Sequence, residues 1–303
     1  MTDAVVLTEG LAKRYGRQQA LHGLDLAVQP GEVFGFLGPN GAGKTTTIRL
    51  LLDLIRPSGG SVLVFGMDPR THGVEIRRRA GYLPGELRLE GRQSAGELLT
   101  FLGNLRGGVE PRRIESLAER LDLDLLRPIR GLSKGNKQKV GVVQAFMHQP
   151  DLLILDEPSS GLDPLLQQEF LAMVREARAQ GQTVFMSSHV LAEVQHVADR
   201  VGIIRAGRMV TVSDVESMRE RAVRRVQIHF DAEVPEAAFA FLPGVRDLRV
   251  EGDTLHCMID GKADALIKAA AQFTVLDLLV EEPDLEDIFL AYYTESPGES
   301  DAA

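Results

Sequence analysis

One stretch limits this chain more than any other: Gly38-Pro39-Asn40-Gly41-Ala42-Gly43-Lys44-Thr45, placed directly after the compact apolar run Val33-Phe34-Gly35-Phe36-Leu37. Its form is G-x4-G-K-[ST]. Glycines let consecutive backbone N–H groups turn inward, and a helix expected over residues 45–54 offers its N-terminus to the same hollow. That hollow suits the β- and γ-phosphates of a nucleotide. Lys44 sets a cation against their oxygens, and the Thr45 hydroxyl is a ligand for Mg2+. A strand, a glycine loop and a helix in that order open an α/β sheet.

A second run, Leu152-Leu153-Ile154-Leu155-Asp156-Glu157, carries two acids off its end. A continuous apolar run reads as a strand buried on both faces, and the C-terminal edge of a parallel sheet is where ligands sit. Asp156 suits Mg2+ through water, and Glu157 suits the polarisation of an attacking water. Val184-Phe185-Met186 is a further buried strand, with a helix expected before it over 166–180. Residues 84–150 lack strand signal. They hold helical patterns at 95–105, 112–121 and 137–148, which makes them a helical insertion in the α/β core.

Near residue 215 the character changes. A polar linker helix over 213–225 leads to strands at 226–230, 245–250, 254–259 and 274–280. Helices are expected at 236–242 and 263–271. The order βαββαβ is that of a ferredoxin-like α+β unit. An amphipathic stretch at 285–293 and a disordered tail at 296–303 complete the plan. The domains expected are 1–218, with a helical subdomain at about 84–150, then 219–295, then the tail.

Composition narrows the function. The 303 residues suffice for one large domain and one small one. With 43 acidic against 34 basic residues the net charge is −9, which argues against a nucleic-acid surface. Cys257 is the only cysteine, so no intrachain disulfide forms and a reducing compartment fits. No apolar run reaches the ~18 residues that a membrane span needs. Met1-Thr2-Asp3 has no basic n-region and does not read as a signal peptide.

Several further motifs converge on one family. Leu132-Ser133-Lys134-Gly135-Asn136 resembles the signature of ABC transporter ATP-binding subunits, whose usual form is LSGGQ. Ser160-Gly161-Leu162-Asp163 looks like their D-loop, Ser187-Ser188-His189 like their switch-histidine loop, and Lys13-Arg14-Tyr15-Gly16 like their aromatic A-loop. The resemblance covers about residues 4–215 by motif and points to the bacterial exporter branch with a C-terminal extension. It implies a P-loop, RecA-like ABC nucleotide-binding domain that binds and hydrolyses ATP with Mg2+. The nucleotide-contact set it implies is Gly38, Asn40, Gly41, Gly43, Lys44, Thr45 and Thr46, with Tyr15 stacked on adenine. Thr45 and Asp156 serve the metal. Glu157, His189 and Lys44 form the catalytic set, His189 by contact with the γ-phosphate. Ser133 and Gly135 complete the pocket of a second copy, so that ATP is gripped between two subunits. It further implies an integral membrane permease as partner, no nucleic acid, and a peripheral place on the cytoplasmic face of the membrane. The implied cargo is a drug, an antibiotic or a lipid-like molecule.

The chain departs from the family at two places. In Ala80-Gly81-Tyr82-Leu83-Pro84-Gly85-Glu86, Gly85 stands where the family has a glutamine that touches Mg2+ and the lytic water. Lys134 and Asn136 replace Gly and Gln in the signature. Other patterns fall away. Asn136-Lys137-Gln138 lacks the aspartate and the preceding strand of a GTPase base-reading motif. Arg219, Arg221, Arg224 and Arg225 read as a solvated linker face, with anionic lipid or a partner as the alternative. His189 and His196 lack metal-site spacing. A soluble ABC ATPase without a permease and a regulatory ATP-binding module stay open as alternatives. The long coiled coil of the chromosome-maintenance type has no room, since Gly85 and Leu132 are only 132 − 85 = 47 residues apart.

Overall fold

A computed structural model describes residues 4–221 and 224–281. The elements of the first part are β1 (Val6–Tyr15), β2 (Gln18–Val28), β3 (Val33–Leu37), α1 (Lys44–Leu51), β4 (Gly59–Val64), α2 (Pro69–Arg79), β5 (Ala80–Leu83), α3 (Ala95–Leu105), α4 (Pro111–Arg120), α5 (Lys134–Phe146), β6 (Leu152–Asp156), α6 (Pro164–Ala179), β7 (Thr183–Ser188), α7 (Leu191–Val194), β8 (Arg200–Arg205) and β9 (Arg208–Asp214). Then come α8 (Val215–Arg221), β10 (Arg224–Phe230), β11 (Val245–Glu251), β12 (Thr254–Ile259), α9 (Asp264–Ala270) and β13 (Val275–Val280). The chain divides into two compact units between Ser213 and Asp214.

The first unit holds a six-stranded sheet in the order β5-β6-β7-β3-β8-β9. The four pairings from β5 to β8 are all parallel. β7 therefore stands between β3 and β6, and three strand exits share one edge. Strands β3, β6 and β7 are buried at every position, as continuous apolar runs in a parallel sheet must be. Phe185 on β7 is the hub. Its ring stacks on Phe34 at 5.9 Å and lies tilted against Phe36 at 5.3 Å. Phe185→Ala would leave a large void that rigid neighbours cannot close, so a stability loss of about 3–5 kcal/mol is expected. Urea unfolding checks it; a loss below ~1 kcal/mol would deny Phe185 that role.

A three-stranded antiparallel sheet, β2-β1-β4, accompanies it. The sequence pattern hides this sheet, because register shifts at Thr8/Leu11 and Glu9/Ala12 break the alternation that marks a half-buried strand. Gly59 and Gly60, which read as the turn closing α1, are instead the first residues of β4. A Cβ on Gly60 would stand 2.2 Å from the Gly10 carbonyl oxygen, so the backbones approach where only glycine fits. Helix α1 stops at Leu51, short of residue 54, and Asp53 follows in the left-handed region with φ 57°.

The helical insertion is present as α3, α4 and α5. A full capping box starts α3, with Ser94 and Glu97 each bonded to the other's backbone N–H. Arg120 fastens the insertion to α6 through Glu169 at 2.6 Å and Glu176 at 2.6 and 2.8 Å.

The second unit is a four-stranded sheet in the order β11-β12-β10-β13, with every neighbouring pair antiparallel. Its core joins Ile228, Phe230, Phe239, Leu255 and Leu266. The helix expected at 236–242 is only a 3-10 turn, Glu236–Ala238. Pro235 and Pro243 bracket too short a span, and the residue before a proline is pushed out of the helical region. The linker helix likewise ends at Arg221, and β10 already begins at Arg224. The stretch 285–293 and the tail 296–303 lie outside the described residues. Among the described residues no helix is long and apolar enough to cross a membrane.

Candidate active site

The glycine loop leaves β3 and reaches α1 with Gly41 and Gly43 at φ 81° and 114°. Both angles lie where side chains are disfavoured, so the loop needs glycine to wrap. Gly43 also lies against β2: a Cβ there would come 2.7 Å from Leu21 Cδ2. The β1–β2 hairpin that carries Tyr15 is thereby seated beside the loop. The Gly38 N–H donates to the Ser188 carbonyl at 3.3 Å, which joins the loop to the exit of β7. Asn40 and Gly41 are exposed, while Thr45 and Thr46 are half-buried on the first turn of α1.

Lys44 is buried, and its polar partners satisfy its ammonium. Its Nζ donates to the carbonyls of Gly38 at 2.5 Å and Pro39 at 3.3 Å, and lies 3.1 Å from Glu157 Oε1. Glu157 in turn touches His189: its Oε2 is 2.6 Å from His189 Nδ1. Lysine, glutamate and histidine leave three different strands and meet at one point. His189 is exposed, so the group opens to solvent.

Behind this group lies Asp156, only 1 % exposed. Its Oδ1 accepts from the Ser187 hydroxyl at 2.6 Å. The same hydroxyl oxygen and the Ser187 carbonyl both accept from the Glu157 N–H, each at 3.2 Å. These bonds matter because Glu157 has φ 48°, a left-handed conformation that costs a side-chain-bearing residue about 1 kcal/mol or more. The strain turns Glu157 off the end of β6 and toward Lys44.

Gly85 follows β5 and abuts Asp156. A Cβ on Gly85 would stand 3.3 Å from both the carboxyl carbon and Oδ2 of Asp156. Glu86 does not take up the missing glutamine's place: it pairs with Arg88 at 2.8 Å on an exposed loop, and that hydrogen bond holds its carboxyl below the usual range. Tyr82, on β5, has its phenol pushed up to about 12, first by burial and then by the charge of Asp156.

Ser133 is the N-cap of α5 and accepts from the Asn136 N–H at 3.3 Å, on an exposed turn. Gly135 lies so near the D-loop that a Cβ would come 2.7 Å from the Gly161 carbonyl oxygen. Tyr15 is 45 % exposed, with Lys13 Nζ 5.0 Å from its ring centre. Lys44, Asp156, Glu157 and His189 are thus linked by contacts within the chain. Ser133 bonds instead within α5, and Gly135 packs closely against Gly161. Sequence reasoning missed the supporting part played by Ser187, although it stands in the Ser187-Ser188-His189 motif, and it missed Glu193, which carried no signal.

A metal would find a carboxylate on Asp156 and a hydroxyl on Thr45. Among the described residues no group of three or more His, Cys, Asp or Glu is placed to hold an ion. That donor set suits a hard ion that keeps waters and leans on substrate phosphates, as Mg2+ does, rather than a fully protein-ligated metal.

Comparison with known proteins identifies the family. Residues 21–160 match the family described as ABC transporter. The chain is 32 % identical over 297 residues to the bacitracin transport ATP-binding protein BcrA of Bacillus licheniformis, covering 94 % of this chain and 96 % of that protein. A solved ATP binding subunit of an ABC transporter superposes with a TM-score of 0.67 at 31 % identity, over 71 % of this chain and 92 % of that one. The dimeric ATP-binding cassette MJ0796, in a post-hydrolysis state bound to ADP and Pi, shares the fold with a TM-score of 0.63 at 20 % identity, over 69 % of this chain and 98 % of that one. With a glycine loop, a carboxylate pair and a histidine meeting at one sheet edge, and with similarity to such a protein over nearly its whole length, this chain belongs to the ABC transporter ATP-binding proteins.

Proposed function

We propose that this chain is the ATP-hydrolysing subunit of an exporter, coupled to a separate membrane permease. The observation that carries the reading is the Lys44–Glu157–His189 contact chain at the joined exits of β3, β6 and β7. The glycine loop and Lys44 bind the β- and γ-phosphates, and Tyr15 offers its ring to the adenine. Glu157 accepts the proton of a water attacking the γ-phosphate in line, and His189 orients Glu157 and meets the leaving charge. Thr45 and Asp156 hold Mg2+, which neutralises phosphate charge when bound.

Ser133 and Gly135 have exposed or half-buried places on a helix N-terminus, a surface able to receive an anion from outside. In our reading they close the nucleotide site of a second copy, an arrangement supported by the dimeric cassette of the same fold. The permease docks on the helical insertion. There α3 exposes Phe101 and Leu105; beside it α2, which precedes the insertion, exposes Val74, and Arg106 joins the ends of these two helices through the carbonyls of Arg77 at 3.0 Å and Ala80 at 3.1 Å. Similarity to a bacitracin transport protein supports an antibiotic-type cargo. We read the second unit as ferredoxin-like, supported by its strand order and antiparallel pairing.

The test is direct. Purified protein with Mg2+ and ATP is expected to release phosphate and to dimerise with ATP, more so beside its permease. Silence in both assays with the permease present would remove the reading.

A further inference from the structure

The exits of β6 and β7 are joined by three successive contacts between side chains, and the chemistry proposed above uses only two. The deepest is Ser187 Oγ to Asp156 Oδ1, fully buried. Next comes His189 with Glu157. The third lies beyond both: Ser159 Oγ donates to Glu193 Oε2 at 2.5 Å, and Ser188 Oγ lies 3.4 Å from the same oxygen. Ser159 stands two residues after Glu157, and Ser188 stands directly before His189. One carboxylate oxygen therefore reaches a hydroxyl on each of the two segments that present the base and the histidine.

The base of Glu193 is fixed. It belongs to α7, the single turn after His189. Its neighbour Val194 is fully buried, and a Cβ on Gly35 of β3 would stand only 2.2 Å from Val194 Cγ1, so α7 is seated directly on the central strand. Ser188 is fixed as well, since its hydroxyl accepts from the Val190 N–H at 3.0 Å and lies 3.2 Å from the Val190 carbonyl. The Ser159 contact, at 2.5 Å, is the closer of the two that this oxygen makes.

We propose that Glu193 is a positioning residue for hydrolysis: it ties the segment after Glu157 to the segment before His189 and so sets the distance between base and histidine. This rests on the reading of Glu157 and His189 given above. Ser159 also leads into Ser160-Gly161-Leu162-Asp163, so a displacement of that loop by a second copy pulls on Glu193 and, through Ser188, on His189. The side-chain contacts of Glu193 run to Ser159 and Ser188 and not to the glycine loop, so it acts on turnover and not on nucleotide capture.

The experiment measures steady-state ATP hydrolysis and melting temperature for four proteins beside the unsubstituted chain. Glu193→Ala is expected to lower kcat about tenfold, equal to about 1.4 kcal/mol of barrier, with KM for Mg-ATP unchanged. Glu193→Gln keeps an acceptor oxygen and is expected to recover at least half of that loss. Ser159→Ala reproduces the fall, and the double substitution adds nothing further, because both remove one contact. Ser159→Ala deletes a single oxygen and serves where Glu193→Ala folds poorly. The proposal is overturned if Glu193→Ala keeps the normal kcat. It is also overturned if kcat, KM and melting temperature move together with no recovery in Glu193→Gln. Turnover by the unsubstituted chain separates these failures from failure of the ATPase reading itself, which would take this proposal with it.

Discussion

Glu157→Gln is expected to bind Mg-ATP as well as the native chain or better, to hydrolyse it about 10²–10⁴-fold more slowly, and to accumulate as an ATP-bound dimer. The substitution changes chemistry and little else. Glutamine matches glutamate in size, and the left-handed backbone at this position is held by the Ser187 carbonyl and hydroxyl through the N–H, which glutamine keeps. A neutral amide no longer accepts a proton, so the attacking water is not deprotonated. It also takes one negative charge away from a site that must accept a triphosphate beside Asp156. That favours binding. The amide no longer competes with the phosphates for Lys44, which stands 3.1 Å from Glu157 Oε1 without nucleotide. Phosphate release and size-exclusion chromatography with Mg-ATP check the pair of effects together. Slow turnover with weak nucleotide binding would mean that Glu157 shapes the pocket. Normal turnover would mean that another group is the base.

The nucleotide site was largely legible because its information is local. Gly38 to Thr45 encodes the loop in eight consecutive residues, and Asp156 and Glu157, which alone could be a solvated acid pair at a strand end, gain their reading from that loop. What joins them is a matter of strand order, which no local pattern carries. Only the placement of β7 between β3 and β6 brings His189 to Glu157 and Lys44. The antiparallel sheet of β1, β2 and β4 was missed for a related reason. Its register shifts spoil the period of two, and Gly59-Gly60 looks like a turn when it is a strand in close contact with Gly10. The short helix at 236–242 was over-read, since its apolar spacing was helical while its flanking prolines denied it length. Glu193 was invisible. A glutamate on one short turn looks like a solvated charge until Ser159 and Ser188 are seen around it. Gly85 stood out as a departure, yet its meaning is spatial: it lets the end of β5 lie against the carboxyl of Asp156 where a side chain would crowd it.

Lys44→Ala is expected to lose nucleotide affinity first and hydrolysis as a consequence. The native ammonium is the single cation in contact with Glu157 Oε1, among the described contacts, and it sits on the loop that must receive a tetra-anion. Removing it leaves the triphosphate facing Asp156 and Glu157 with only backbone N–H groups and the metal as compensation. A charged hydrogen bond is worth about 1.5–3 kcal/mol, and each 1.4 kcal/mol is tenfold in binding, so affinity falls by roughly 10- to 100-fold or more. The folded state without nucleotide suffers less. Besides Glu157, Lys44 anchors the loop carbonyls of Gly38 and Pro39, and the loop keeps its own bond from Gly38 to Ser188. The two effects separate in a thermal-shift experiment. Ligand at about 100 times its dissociation constant stabilises a protein by about 2.7 kcal/mol, a shift the native chain is expected to show with Mg-ATP and the variant to lack at the same concentration. A variant that melts near the native temperature without nucleotide, and does not respond to Mg-ATP, fits the role given to Lys44. One that responds fully places the phosphate grip in the backbone N–H groups and the helix N-terminus alone.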